Sequence, residues 1–299
     1  MVAGKNNFII KLKTFFLVTL FLAALNAGCV SIPQQTQVIQ EGCKQQRIQT
    51  VSTSDISPFS SHPAPINSES FSILSWNIYK GQKDKWIGDL FRLSADQDIV
   101  LLQEASLNEK LHEILNHHEF CWGLNNAFIY NGVETGVLTA SKTPPLDSLG
   151  LRHIEPLIRV PKTILINRYP LSGTSSTLLV ANIHGINFTL GTSAYKKQLA
   201  EMQKILVTHS GPLIVAGDFN NWGRERTKIM HEMADALSLI RLKYERSDQS
   251  KRFGGNVDHI FYRGLEPLSR STLQVSSSDH NPILAQFRVT EKKMAELDQ

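Results

Sequence analysis

The stretch GPLIVAGDFNNW, residues 211–222, decides how the chain is read: a short Leu/Ile/Val run that ends in an acid and two amides. Runs of this length rich in aliphatic and β-branched residues read as strands. The same construction recurs along the sequence. SILSWNIYKG (72–81) carries Asn77, DIVLLQEA (98–105) carries Glu104, and ANIHGINF (181–188) carries His184 and Asn187. The GDFN segment holds Asp218 and Asn220, VDHIFY (257–262) holds Asp258, and SSDHNP (277–282) holds Asp279 and His280. One such ending is ordinary turn chemistry, because Asn, Asp and Gly suit the residue after a strand. Six in one chain ask for a shared purpose, since strand ends in a packed sheet protein gather at one edge and can line one cleft.

FSILSW, TGVLTA, TILINRY and STLLVANIH supply further strands, and helical periods separate them. Tyr195, Leu199, Met202 and Leu206 share a face behind a Thr192 cap, with Gly211 as the stop. Ile229, Met233, Leu237 and Ile240 repeat the pattern, and Leu107, Leu111 and Leu115 do so briefly. Strands that alternate with helices yet also fall in hairpin-like pairs predict an α/β fold of two sheets packed face to face with helices outside, rather than a doubly wound sheet. No internal repeat occurs at solenoid periods.

With 299 residues, 41% hydrophobic and 19% charged, the chain can bury a sizeable core, which excludes general disorder. A net charge of +4 is too mild to separate a nucleic-acid partner from a membrane surface. Lys5, Lys11 and Lys13 precede TFFLVTLFLAAL and then NAGC, the layout of an export signal and too short an apolar run to span a bilayer. The run up to Cys29 resembles a bacterial lipoprotein signal, which implies acylation of that cysteine. Asn26 departs from the aliphatic or small residue such signals carry, so a secreted form or an uncleaved anchor stays open. The expected organisation is a signal over 1–28, a Gln/Ser/Pro-rich flexible tether over 29–70, a folded domain over 71–289 and a tail over 290–299. The expected location is the periplasmic face of a bacterial membrane, lipid-anchored, or the exterior. Three cysteines without CxxC or Cys/His ligand spacing argue against structural zinc. In an oxidising compartment Cys43 and Cys121 can form a disulfide or stay as two thiols.

Carboxylates with amide oxygens are hard ligands that suit magnesium, or manganese, in an open arrangement shared with a substrate phosphate. Glu104, behind Gln103 at the end of a hydrophobic run, is costly there unless paired or metal-bound. A carboxylate that deprotonates water and imidazoles that hold phosphoryl oxygens complete the needs of phosphate-ester hydrolysis. GxSxG, HExxH and P-loop patterns are absent from the sequence, so serine-hydrolase, zincin and nucleoside-triphosphatase readings lack their supports.

SWNIYKG, LLQEA, ANIHGIN, VAGDFN, VDHIFY and SSDHNP, in this order, resemble the endonuclease/exonuclease/phosphatase superfamily of DNase I-like proteins. WNIYK, NIHGINFTLG and EPLIRVPKTIL are most similar to its YafD-like bacterial branch. The resemblance covers about residues 71–289. It implies a four-layer α/β sandwich, two packed mixed β-sheets flanked by helices, with a divalent-metal site at one edge. It further implies Glu104 as central metal ligand with Asn77 close by and Asp279 as a further ligand, and Asp218 as the group that activates water. Asn220 becomes a donor to transition-state oxygens, His280 a phosphate-contacting imidazole oriented by Asp258, and His184 a second such imidazole. The expected activity is a monomeric, magnesium-dependent phosphodiesterase or nuclease acting on nucleic acid. A phospholipase C-like, sphingomyelinase-like activity at a membrane is the alternative, and a non-catalytic binding protein on the same scaffold is the alternative of another class.

Arg159 and Lys162 in EPLIRVPKTIL are candidates to grip a substrate phosphate, against a default of surface charge. Glu134 occupies the position where relatives place a site-edge partner of His184, against a solvent-facing turn. Trp222 reads as packed rather than as a stacking platform. RERTK (224–228), Lys251 and Arg252 read as surface charge before a nucleic-acid groove, and His117 with His118 as solvated helix-end residues.

Overall fold

Successive side chains along each strand divide between two apolar environments, and that division builds the layers. The computed structural model describes residues 30–42, 47–50, 64–244, 251–252 and 255–290. In chain order the strands are β1 (Val30–Ser31), β2 (Gln37–Glu41), β3 (Arg47–Thr50), β4 (Phe71–Asn77), β5 (Ile99–Ser106), β6 (Cys121–Tyr130), β7 (Val133–Ser141), β8 (Asp147–Ile154) and β9 (Pro161–Pro170). They continue as β10 (Thr177–His184), β11 (Leu213–Asp218), β12 (Ile240–Arg241), β13 (Lys251–Arg252), β14 (Gly255–Asn256), β15 (Asp258–Arg263), β16 (Leu265–Thr272) and β17 (Ile283–Val289). The helices are α1 (Trp86–Ser94), α2 (Glu109–His117), α3 (Ser193–Leu206) and α4 (Arg224–Ala236), and a 3₁₀ turn covers Tyr79–Gly81.

Among the described residues one sheet has nine strands, in the order β16-β17-β4-β5-β7-β6-β2-β3 with β1 also on β6. The second has six, in the order β12-β15-β11-β10-β9-β8. Both are mixed: β4 with β5 and β10 with β11 are parallel pairs inside otherwise antiparallel sheets. Leu179, Ala181 and Ile183 of β10 with Leu213 and Val215 of β11 pack against Tyr195, Leu199, Met202, Met230 and Met233 of α3 and α4. Their neighbours Leu178, Val180, Ile214 and Ala216 meet Phe71, Ile73, Ile99 and Leu101 of the other sheet. On that sheet's far side Leu74, Trp76, Val100 and Leu102 meet Leu90, Leu93, Leu111 and Leu115 of α1 and α2. The order of layers is therefore helices, sheet, sheet, helices, the four-layer α/β sandwich expected from the sequence. Each fully buried aliphatic or aromatic side chain in these layers contributes about 1.5–3 kcal/mol.

Polar side chains also cross the inter-sheet layer. Gln103 Nε2 of β5 donates to Asn182 Oδ1 of β10 at 2.7 Å, and Asn182 Nδ2 donates to the Leu138 carbonyl at 2.8 Å. Burying amides costs free energy unless they pair, so this cross-sheet link fixes one register between the two sheets.

The expectation of a flexible tether over 29–70 is corrected over Val30–Glu41. There β1 and β2 pair antiparallel with β6, and Val38 packs between Val137 and Leu165. QVIQE has few large apolar residues, but an edge strand joined by ladder hydrogen bonds needs only its alternate positions buried. Ile66 is also buried between the sheets. Helix α3 ends at Leu206 rather than at Gly211, and Ile240 lies exposed in β12 rather than on the face of α4. His118 is buried, its ring at 3.0 Å from the Phe91 carbonyl, so it is not the solvated residue expected. Cys121 is disulfide-bonded. Cys43, the partner that the sequence left open, lies outside the described residues, as do Cys29, the leader and the segment after Thr290.

Candidate active site

The parity that builds the core also builds the site. On β11 the inter-sheet positions are Ile214, Ala216 and then Asp218; on β10 they are Leu178, Val180, Asn182 and then His184; on β15 they are Tyr262, Ile260 and then Asp258. Strand pairing places His184 opposite Asp218, and Asp218 opposite Asp258, so these three residues form one row across three neighbouring strands. Asn77 ends β4 of the facing sheet with the same parity as Phe71 and Ile73. The polar residues thus replace apolar ones at the open edge of the inter-sheet layer. Gly217 permits this row: it has φ of +138°, and a Cβ there would stand 2.1 Å from the Ile183 carbonyl oxygen.

Glu104 breaks the parity rule. Simple alternation after Val100 and Leu102 would send it toward the helices, but the β5–β7 register shifts between Leu102 and Ala105, and Glu104 has φ of +51°. The bulge turns its carboxylate into the site, where Oε1 lies 3.8 Å from His184 Nε2 and Oε2 accepts directly from Lys80 Nζ. Burial alone would raise its pKa, but the charges of Lys80 and Lys162 reverse that and hold the carboxyl well below the usual range. Left-handed φ in a non-glycine residue costs free energy and persists where the surroundings enforce it. Asn220, at +46°, is a second instance in the site.

Asp218 is the centre of the arrangement. Its Oδ2 accepts from Asn77 Nδ2 and from Asn220 Nδ2, each at 3.2 Å, and its Oδ1 accepts from the Asn220 backbone N–H at 3.0 Å. His184 Nε2 and His280 Nε2 lie 3.5 and 3.8 Å from Oδ2. Burial, resisted by His280, pushes the Asp218 carboxyl up to about 6. His280 Nδ1 donates to Asp258 Oδ2 at 2.9 Å. Burial would lower the His280 pKa, but the charges of Asp258 and Asp218 overcome it and push the imidazolium up to about 10. His184 behaves oppositely: burial and the Lys162 ammonium drive it well below its usual value. Lys162 Nζ lies 2.8 Å from His184 Nε2 and has only protons to give, so that nitrogen accepts and the ring is neutral.

The serine run before His280 is structural. Ser278 Oγ donates to the Asn77 carbonyl at 2.6 Å and accepts from the His280 N–H at 3.1 Å, while Ser277 Oγ donates to Asp89 at 2.6 Å. Trp76 Nε1 donates to the His280 carbonyl at 2.8 Å. The His280 loop is thereby tied to the end of β4 and to α1.

Asn77, Glu104, His184, Asp218, Asn220, Asp258, His280 and Lys162 come together as expected from the sequence. The Asn220 amide donates to Asp218 Oδ2 and to the Gly185 carbonyl at 3.1 Å. Asp279 is exposed beside His280, which it influences by charge. Asn187 is a strut whose Oδ1 accepts from Trp222 Nε1 at 2.8 Å. Arg159 is exposed on a turn at φ of +57°. Glu134 is half-buried at the start of β7, and the acids that approach His184 are Glu104 and Asp218.

Three residues were not singled out by sequence. Lys80 is the first. Arg226, read as surface charge, is 2% exposed, donates to the carbonyls of Ile186, Asn187 and Asn220, and stacks over Trp222 at 4.2 Å. Glu155 works on the same loop, its Oε1 accepting from the N–H groups of Asn187 and Phe188 at 2.5 and 3.1 Å. The signal for Arg226 was its position in the turn of helix directly after DFNNWG.

Asp218, Asp258 and His280 offer donor atoms within 4.8 Å of one another and could hold a metal ion. In the metal-free protein the two carboxylates beside His280 favour its protonated ring, a form with no lone pair to give. Glu104 and Asn77 place further hard oxygens nearby, and the Glu104 carboxylate is ionised.

A model of the Endonuclease/Exonuclease/phosphatase family matches residues 74–280. Among solved structures, the human Nocturnin catalytic domain with bound sulfate is 16% identical, covers 79% of this chain and 100% of its own, and superposes with a TM-score of 0.58. An endonuclease/exonuclease/phosphatase from Beutenbergia cavernae is 16% identical over 74% of this chain and 72% of its own, at 0.56. ANGEL2, described as a 2',3'-cyclic phosphatase and bound to adenosine-2',3'-vanadate, is 16% identical over 79% of this chain and 100% of its own, at 0.57. At such identities the structural likeness concerns the fold.

Proposed function

The chain belongs to the endonuclease/exonuclease/phosphatase family, whose members hydrolyse phosphate esters, and from that premise we propose that it is a magnesium-dependent phosphodiesterase acting on nucleic acid by water attack at phosphorus. The observation that carries this reading is the pairing of Asp218, pushed up to about 6, with His280, pushed up to about 10, their nearest atoms 3.8 Å apart. Between those values one is a base and the other an acid.

Asp218 is aimed by Asn77 and Asn220 and accepts the proton of the attacking water. The His280 imidazolium, fixed by Asp258, donates to a phosphoryl oxygen as negative charge builds there. Neutral His184 and the Lys162 ammonium beside it face the same space and orient the ester's oxygens. Glu104 and Asn77 would hold the divalent ion, which when bound supplies polarisation of the phosphoryl oxygen. Lys80 and Lys162 around the acids suit a polyanionic substrate.

A phospholipase C-like activity is the second reading, and one observation favours it. Leu190 is 83% exposed on the loop after Asn187, and Leu157 is exposed on a turn whose N–H meets the Phe188 carbonyl. Plasmid DNA, RNA, sphingomyelin and inositol phosphates, each assayed with magnesium and then with EDTA, separate the two. Turnover of the polynucleotides supports the first reading, and turnover of sphingomyelin alone replaces it with the second. We keep the leader as an export signal in this proposal; the mass of the mature N-terminus tests it.

A further inference from the structure

Both residues of the proposed cation site are engaged by one short turn of the chain itself. Lys80 Nζ sits on Glu104 Oε2, and the Tyr79 backbone N–H donates to Asn77 Oδ1 at 3.1 Å. The turn that delivers both groups is unusual: Tyr79, Lys80 and Gly81 have φ of +51°, +57° and +64°, three successive left-handed residues of which only the last is glycine. Such a conformation is disfavoured for L-residues and persists where contacts enforce it. Here the contacts are the two just named, together with Gly81 N–H donating to the Ile78 carbonyl at 3.0 Å.

We propose that Lys80 is a resident counter-cation of Glu104, which a divalent ion must displace in order to bind, so that Lys80 sets a weak and readily exchanged metal affinity. The inference rests on the reading of Glu104 and Asn77 as the metal site. Three observations support it. Lys80 is the ammonium directly on Glu104, and Lys162 places a second positive charge nearby, its Nζ 2.8 Å from the His184 Nε2 that faces Glu104. Adding a doubly charged ion beside both ammoniums is repulsive, and the departure of Lys80 relieves it. The Lys80 side chain is 29% exposed, and its Nζ already lies 5.0 Å from the Tyr79 ring centroid, so it has both a path outward and an alternative partner. Once released, the ammonium stands at the rim of the site, within reach of an anionic ester.

Binding of Mn²⁺ to the full-length protein without substrate, followed by loss of the free-ion electron paramagnetic resonance signal, tests this independently of turnover. K80M and K80Q are expected to bind Mn²⁺ about tenfold more tightly than wild type or better, and K80R to stay near wild type because it keeps the charge. Melting curves establish that each variant is folded, and K80Q stands in if K80M is not. Equal or weaker binding by both neutral variants overturns the inference while leaving the metal reading intact. If neither wild type nor the neutral variants bind Mn²⁺, both fall. Tight binding confined to the neutral variants supports the displacement.

Discussion

His280 and Asp258 are locked together by Nδ1, which lies 3.0 and 2.9 Å from the two carboxylate oxygens, with both side chains withdrawn from solvent. Nε2 is the nitrogen left to act. A carboxylate that fixes the ring tautomer and charge in this way converts an ordinary histidine into a persistent acid.

Asp258→Asn removes that charge while keeping the shape. The His280 pKa should fall from about 10 toward its ordinary 6.5, readable by NMR titration of the ring. Turnover should drop by about 10²–10⁴. An unchanged titration would show that Asp258 does not govern the ring.

The same pair makes stability depend on pH in the metal-free protein. The folded His280 pKa lies above its ordinary 6.5, so its contribution is complete below pH 6.5 and is lost as pH rises through about 10. Denaturant midpoints should decline across that window, and H280N should flatten the slope. Asp218 titrates near 6, below the window, and does not imitate the effect.

Asp218→Asn tests the assigned base. Activity should fall by about 10²–10⁴ with the melting temperature held or raised, because a buried acid whose pKa burial has lifted is costly when charged. Retained turnover would move the base elsewhere.

EDTA should abolish hydrolysis and added magnesium restore it. E104Q should demand a much higher magnesium concentration for half-maximal rate, since it removes the site's ionised carboxylate. A rate indifferent to EDTA would end the metal assignment.

Arg226→Met should destabilise the fold by about 2–4 kcal/mol in chemical denaturation, because it orphans carbonyls of Ile186, Asn187 and Asn220. R226K should recover only part, since a single ammonium cannot replace the guanidinium fork or its stacking on Trp222. A full recovery by lysine would reduce Arg226 to a mere charge.

The layers and most of the site were legible because both obey alternation: an apolar run that ends in Asp218 or His184, or opens on Asp258, announces its own edge. What escaped are departures from period. Glu104 was named in advance, but the bulge that turns it into the site is encoded by no hydrophobic pattern, and Lys80 arrives through consecutive left-handed residues that sequence does not announce. Arg226 was hidden by its neighbours, since Arg224, Glu225 and Lys228 are the surface charges that the RERTK run suggests, while their buried sibling differs only in the face of the helix it occupies. The tether reading failed over QVIQE because composition measures how much a segment can bury, not whether a sheet edge stands ready to accept it.

The single row His184–Asp218–Asp258 makes chemistry hostage to strand alignment. Inserting or deleting one residue between Leu213 and Gly217 would rotate Asp218 to the opposite side of its ribbon and exchange the strand's two buried faces. Loops in such a molecule can lengthen freely over evolutionary time, whereas its three central ribbons can change letters but not their count.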